Sequence, residues 1–299
     1  MDRLQLMQAF VAVADTGGFA PASRKLAMSP PAVTRAIAAL EQRVGIPLLH
    51  RTTRRVRLTE AGARFLEDCR RILAEVDEAE QSAAGAHCEP RGRIAVTASM
   101  RFGYMYVAPL LLDFLERYPK VSAQTVFVDR IVNLLEEGLD VAIRIGELPD
   151  SSLTAVRVGS VRRVICAAPD YLSMRGTPKM PQDIHSHDIV LFSGLSPKMG
   201  WSFRCPEGKV TLSLSPRLIA NTADVAIRAA VSGRGLTGVL SYMIAPELNA
   251  GQLKIVLADH ETAPLPIHVV YQEGRKAATR VRAFVDFMVE RLRADPAIQ

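Results

Sequence analysis

From Pro30 to Val44 the apolar residues recur with helical spacing: Val33, Ile37, Leu40 and Val44 fall at i, i+4, i+7 and i+11, so one stripe of this segment must face a core. The opposite side carries Pro31, Thr34, Arg35 and Ala38. Ser29 stands where a side-chain oxygen can cap the first free amides, and Pro30 sits in the first turn, where its missing N–H is not needed. Gly45-Ile46-Pro47 stops the helix. A shorter helix from Phe19 and a tight turn precede it. After Leu48 and Leu49, the stretch His50 to Leu58 puts Val56 and Leu58 on one face and Arg55 and Arg57 on the other, the pattern of a half-buried strand in a basic hairpin.

The period then changes. A long helix is predicted from Thr59, its N-cap, to near Gly85, and Phe65, Cys69, Ile72, Val76, Ala79 and Ala83 follow a 3.5-residue repeat. Such a stripe needs a partner helix, either in a second copy of the chain or in the chain's own second domain. Residues 86–92, with Pro90, have the composition of a hinge. Beyond it, short β-type runs (94–97, 124–128, 140–145, 163–167, 189–191, 236–240 and 267–271) are separated by predicted helices at 104–118, 131–137, 223–232 and 277–293. Strands alternating with helices predict parallel sheets covered on both faces, an α/β class.

Helix, turn, helix and basic hairpin in this order make a winged helix-turn-helix, which lays one helix in the DNA major groove and a hairpin on the flanking backbone. Charge agrees. Residues 1–65 hold ten Lys or Arg against four acids, a surplus of +6 that equals the formal net charge of all 299 residues, so the remainder is balanced. A polyanion partner for this segment is the simplest account, because neutralised phosphates release counterions. The residues read as reaching DNA are Arg24, Ser29, Pro30, Pro31, Ala32, Thr34, Arg35 and Ala38, with Arg51, Thr52, Arg54 and Arg55 in the hairpin.

From Asp2 through Leu292 the chain resembles the LysR-type transcriptional regulators, most densely in FAPASRKLAMSPPAVTRAIAALEQRVGIPLLHRTTRRVRLTEAGARFL, residues 19–66. The hairpin entry Leu49-His50-Arg51-Thr52 and the exit Leu58-Thr59-Glu60-Ala61-Gly62 both fit that family. Pro21 and Pro31 stand where many relatives have Ser or Ala, and both fall in first helical turns. The resemblance implies a DNA-binding domain over 1–58, a dimerising linker helix over 59–85, a hinge over 86–92 and an effector domain over 93–299 made of two α/β lobes like those of periplasmic solute-binding proteins. It also implies a small-molecule effector in the cleft between the lobes, a homodimer or homotetramer, and a pseudo-palindromic site on double-stranded DNA.

Ligands of open α/β sheets bind beyond the carboxyl ends of strands, near free helix N-termini. That rule selects Ser99, Met100, Arg101 and Phe102, then Val128 and Asp129, then Arg144 and Ile145, and Asn221 and Thr222, with Phe192 and Trp201 as walls from the other lobe. Family members often place an effector-binding hydroxyl at the position of Ser99; Val128 is apolar where some carry a second one. For Arg144, a structural ion pair with Asp129 or Asp140 competes with ligand binding, and a bound anion follows only from the second. Trp201 reads equally as an exposed or interface aromatic.

Other chemistry finds little support. Cys69, Cys88, Cys166 and Cys205 form no CxxC pair, so no zinc site or disulfide framework is indicated. A peroxide-sensing branch of the family uses a cysteine pair in the region of Cys205, but no second cysteine lies close in sequence. His185-Ser186-His187 lacks a partner motif and reads as loop, so no metal or cofactor is expected. An enzyme joined to a basic tether is the competing class, yet no G-x-S-x-G, Walker, H-E-x-x-H or dinucleotide fingerprint occurs. With 48% hydrophobic residues, no apolar run near the roughly 18 needed to span a bilayer and no signal-peptide start, a two-domain cytoplasmic protein with no membrane partner is expected.

Overall fold

A computed structural model describes residues 1–51, 56–83, 89–130, 132–196, 198–206, 208–272 and 279–298; the side chains of Arg51, Glu75 and residues 77–83 are not among the described ones. The chain divides into two compact units, 1–88 and 89–299.

In the first unit, α1 (Arg3–Thr16), α2 (Phe19–Lys25) and α3 (Pro30–Val44) are followed by a hairpin of β1 (Leu49–Arg51) and β2 (Val56–Leu58), then by α4 (Glu60–Ala83). The stripe read from the sequence is the buried one: Val33, Ala36, Ile37 and Leu40 of α3 pack with Phe10 and Val13 of α1. Ser29 occupies the N-cap of α3, but its side chain makes no capping hydrogen bond, which corrects the expectation. Pro31 at the second helical position removes one amide, and the Ala32 amide donates to the Ser29 carbonyl at 2.9 Å instead. Thr59 does cap α4, its Oγ1 accepting from the Gly62 amide at 2.9 Å.

Asp15 of α1 ties α4 and α2 together, meeting Arg70 at 2.6 Å and Lys25 at 3.3 Å. Burial by itself raises the Asp15 carboxyl, but the Arg70 and Lys25 hydrogen bonds outweigh it and hold the pKa below the usual carboxylate value. The stability this contributes is therefore present above the unfolded carboxylate pKa and is lost as pH falls through the folded one. Asp15→Asn should cost about 1 kcal/mol or less at neutral pH, given the solvent screening of a partly exposed pair. Urea unfolding of the two forms should converge in acid.

The second unit holds two five-stranded sheets. The first lobe is built on β3 (Gly92–Ala98), β4 (Val121–Phe127), β5 (Val141–Ile145) and β6 (Thr154–Val161), with β7 (Arg163–Ala167) leading into the second lobe. Between β3 and β4 a helix runs as α5 (Met100–Phe102), a π-helical turn (Gly103–Val107) and α6 (Ala108–Arg117). The second lobe adds α7 (Pro169–Arg175), β8 (Ile189–Phe192), the hairpin β9 (Gly200–Cys205) and β10 (Gly208–Ser213), β11 (Leu218–Ala220), α8 (Ala223–Val231), β12 (Leu236–Leu240), α9 (Ala245–Asn249) and β13 (Lys254–Val256). The chain returns to the first lobe through β14 (Leu265–Tyr271) and ends with α10 (Thr279–Arg293).

Strand order is β4-β3-β5-β14-β6 in one sheet and β11-β8-β12-β7-β13 in the other. Both sheets are mixed, not parallel as the alternation predicted: β14 runs antiparallel to β5 and β6, and β7 antiparallel to β12 and β13. The reason is connectivity. Parallel neighbours need a crossover helix, and neither β7, which follows β6 through Arg162 alone, nor β14 arrives through one. The helix predicted at 131–137 is also corrected: its described part is one turn, in which the Glu137 amide donates to the Asn133 carbonyl at 3.0 Å and Gly138, at φ +64°, ends it.

Candidate functional site

On the head, Pro30, Pro31, Thr34, Arg35 and Ala38 of α3 are exposed, Ala32 is half-buried, and Ser29 stands exposed at the helix start. Thr34 Oγ1 donates to the Pro30 carbonyl at 3.0 Å, so its hydroxyl proton is committed and its lone pairs are left to accept from an amino group. Arg35 makes no ion pair among the described residues and projects from the exposed side of α3. Arg24, in the last turn of α2, is also exposed.

The hairpin is set rigidly against α3. Glu41 Oε1 accepts the amides of Leu48 and Leu49 at 2.9 and 3.1 Å, and Thr59 Oγ1 donates to the Pro47 carbonyl at 2.9 Å. Register pairs Leu49 with Leu58 and His50 with Arg57. Leu49 is buried while His50 and Arg57 are exposed, so one face of the ribbon is basic. His50 and Arg57 thereby join the residues selected from the sequence; the strand alternation already placed Arg57 on this face. Thr52, Arg54, Arg55 and the side chain of Arg51 lie outside the described residues.

The linker stripe is corrected in its first part. Leu66 and Cys69 are buried in the core of the head itself, with Phe65, Ile72 and Leu73 packed against that core and the Phe65 ring 5.9 Å from Phe10. A 3.5-residue repeat fits a neighbouring helix of the same chain as well as one of a second copy, and here α1 takes the N-terminal turns of α4. Burial, with Asp68 adding to it, pushes the Cys69 thiol up to about 11. Val76 is half-buried, and the side chains of Ala79 and Ala83 lie outside the described residues.

In the second unit an open cavity of about 950 Å³ is lined from the first lobe by Ser99, Val128, Asp129, Arg144 and Ile145, and from the second by Arg163, Phe192, Leu195, Leu240 and Met243. Six of the twelve residues selected from the sequence therefore meet in one place. The other six do not line it. Phe102 is fully buried and stacks on Tyr106, with Tyr242 edge-on to both. Arg101 pairs with Asp224 and with Glu247 (3.5 Å), which links the lobes beside the cavity. Met100 contributes its amide, which donates to Asp129 Oδ1 at 2.9 Å. Thr222 is the N-cap residue of α8, with no side-chain capping bond, and Asn221 precedes it. Trp201 is buried on β9 against Gly238 of β12 and borders a separate cleft of about 60 Å³. The strand-end rule selects backbone positions, whereas side chains just beyond a strand alternate between cavity and core.

Neither carboxylate proposed as the partner of Arg144 takes that role. Asp140 Oδ2 accepts from the Ala95 amide at 2.7 Å, Asp129 is held by Met100, and Arg144 donates to the Val132 carbonyl at 3.1 Å. Nearby Glu137 is bound in bidentate fashion to Arg130, both contacts 2.7 Å. Arg163, missed from the sequence because it begins a strand instead of following one, donates to the Leu195 carbonyl at 3.4 Å. Among the described residues neither arginine has a carboxylate within ion-pair distance. Desolvation lowers the pKa of both guanidiniums, opposed at Arg144 by Glu137, yet an arginine starts so far above neutrality that both stay charged. Burial raises the pKa of the Tyr242 phenol, so this hydroxyl, without a hydrogen-bond partner among the described residues, stays protonated.

Cys69, Cys166 and Cys205 are free thiols, and burial, with Glu247 adding to it, pushes Cys166 up to about 12, far from the thiolate needed for redox chemistry. His187 Nδ1 lies 3.2 Å from the Tyr171 hydroxyl, which accepts the Asp188 amide at 2.9 Å, a structural use of that loop.

Comparison with known proteins matches both units of the chain. The profile of the bacterial regulatory helix-turn-helix protein, lysR family, matches residues 4–63, and that of the LysR substrate binding domain matches residues 87–293. An HTH-type transcriptional repressor of Pseudomonas aeruginosa is 33% identical over 302 residues, covering 100% of this chain and 95% of its own. The HTH-type transcriptional activator AaeR of Escherichia coli is 32% identical over 292 residues, covering 97% and 94%. The solved structure of CrgA, a LysR-type transcriptional regulator from Neisseria meningitidis, is 31% identical, covers 98% of this chain and 99% of that one, and superposes with a TM-score of 0.62. The chain therefore belongs to the LysR family of transcriptional regulators, joining a DNA-binding helix-turn-helix to an effector-binding domain.

Proposed function

We propose that this regulator reads a pseudo-palindromic duplex as a homodimer or homotetramer and that a small anionic effector in the inter-lobe cavity biases its placement on DNA. Arg35, Thr34 and Ala38 meet base edges, while Arg24, Ser29 and the basic hairpin, including Arg51, Thr52, Arg54, Arg55 and Arg57, hold phosphates. The C-terminal half of the linker helix, from Val76 through Ala79 and Ala83, contacts the second copy. The protein acts in the cytoplasm by binding, with no catalytic step. One observation carries the effector reading: Arg144 and Arg163, from opposite lobes, border the same cavity without a carboxylate partner among the described residues. The half-buried Arg144 and the exposed Arg163 offer an anionic ligand two charge-assisted contacts.

The test is thermal melting of the full-length protein against a panel of carboxylates. An anion that raises the melting temperature and alters operator affinity supports the reading. Arg144→Ala should weaken that anion's binding by about tenfold to a hundredfold, the loss of one charge-assisted contact. An effector whose binding is unchanged in Arg144→Ala would contradict the assignment.

A further inference from the structure

The cavity has more to offer than a seat for a small anion. Its volume of about 950 Å³ lies near the upper end of the roughly 300–1,000 Å³ usual for small-molecule pockets. Its charges are also unevenly engaged. Asp129 accepts from the Met100 amide and Arg130 is paired with Glu137, so among the described residues the lining cations without a carboxylate are Arg144 and Arg163, in a cavity that Ser99 also lines. Much of the remaining wall is aliphatic, with Asn133, Glu147 and Ser151 at its polar edge. Val132, Leu134, Val270 and Ala142 form a separate hydrophobic cluster against one face of the first lobe's sheet, with Val128, Leu148 and Leu153 packed on it, and all seven border the cavity. A ligand confined to the arginines would leave Val128, Leu148 and Leu153, the half-buried part of this wall, in contact with water.

We propose that the effector is an amphipathic monocarboxylate, its head held between Arg144 and Arg163 and its apolar body lying along Leu134, Leu148 and Leu153. The proposal rests on the reading of this cavity as the effector site. A carboxylate suits the head because a planar guanidinium binds it in bidentate fashion. The tail is selected by burial of methylenes, which favours length up to the filling of the cavity along this wall and then no further.

Calorimetric titration of the full-length protein with straight-chain carboxylates from acetate to dodecanoate, each below its micelle-forming concentration, tests this. Affinity should rise about fourfold per added methylene and then level off. Ala155 is exposed on β6, in register with Val270 of the aliphatic wall, and borders the cavity. Ala155→Phe should bring dodecanoate back to the affinity of the short acids and leave theirs unchanged. Arg163→Ala should weaken every member by a common factor of about tenfold or more. Dodecylamine, with the same tail and the opposite charge, should not compete. Binding of acetate that depends on Arg163 but does not change with chain length would overturn the amphipathic ligand and leave the effector site standing. Binding of no carboxylate at all would overturn both. A rise with length that neither variant alters would mean nonspecific partitioning, which also overturns the proposal.

Discussion

Gly62→Ala should destabilise the DNA-binding head by about 2 to 3 kcal/mol, the range of an overpacked interior. A Cβ on Gly62 would lie 2.0 Å from the Leu48 carbonyl oxygen and 2.9 Å from its carbon, both backbone atoms that cannot swing away. That carbonyl already accepts the Thr59 amide at 3.0 Å, and the neighbouring Leu48 amide is held by Glu41. Relief therefore requires α4 to move from the hairpin root, breaking the junction through which Pro47, Thr59 and Gly62 fix the basic ribbon against α3. Urea unfolding should show an earlier transition for the head and an unchanged one for the effector domain, which forms a separate unit. Operator binding should fall with it. Unaltered head stability would show that the junction is looser than these distances require.

Arg35→Ala should weaken operator binding by about 1 to 3 kcal/mol while leaving random-duplex binding nearly unchanged. The argument is positional. Arg35 lies on the exposed side of α3 opposite Val33 and Ile37, flanked by Thr34 and Ala38, and makes no ion pair among the described residues to compete with a base. Arg57 is the contrast. It faces outward from the hairpin opposite His50, where a duplex backbone would run, so Arg57→Ala should weaken binding on all sequences alike and reduce the slope of log affinity against log salt by about one. Equal losses on operator and random duplex for Arg35→Ala would remove it from the base-reading set. A sequence-dependent loss for Arg57→Ala would place the hairpin in a groove.

How much of this was legible beforehand depended on whether the deciding force was local. The α3 stripe and the strands Arg163–Ala167 and Leu236–Leu240 were readable because hydrophobic period and stop signals set them within a few residues. The Ser29 cap is absent for an equally local reason: a second proline removes one amide the hydroxyl would hold, and the Ala32 amide turns to the Ser29 carbonyl. Strand direction was not legible, since β7 and β14 arrive from the other lobe and nothing in their own residues marks that. The seam was half legible. A 3.5-residue stripe announces a partner helix, but whether α1 or a second chain supplies it is decided by tertiary geometry, and Cys69 went to α1.

The cavity divided along the same line. Ser99, Val128, Asp129, Arg144, Ile145 and Phe192 were found from strand ends. Arg101 and Phe102 came from the same rule and were lost to an inter-lobe ion pair with Asp224 and to packing on Tyr242, both partners more than a hundred positions away. Trp201 went to the packing of the β9–β10 hairpin on Gly238. Arg163 was overlooked because its place at the cavity depends on how the lobes meet.

The measurement that bears most directly on this account is sequencing of the genomic fragments that the purified full-length protein retains at physiological salt, with Arg35→Ala in parallel, because specificity over competing sites defines a regulator more than bare affinity. Enrichment of a small set of pseudo-palindromic sites, lost in Arg35→Ala, is the predicted result. Uniform retention by both proteins would contradict it, leaving a basic head that holds DNA without reading it.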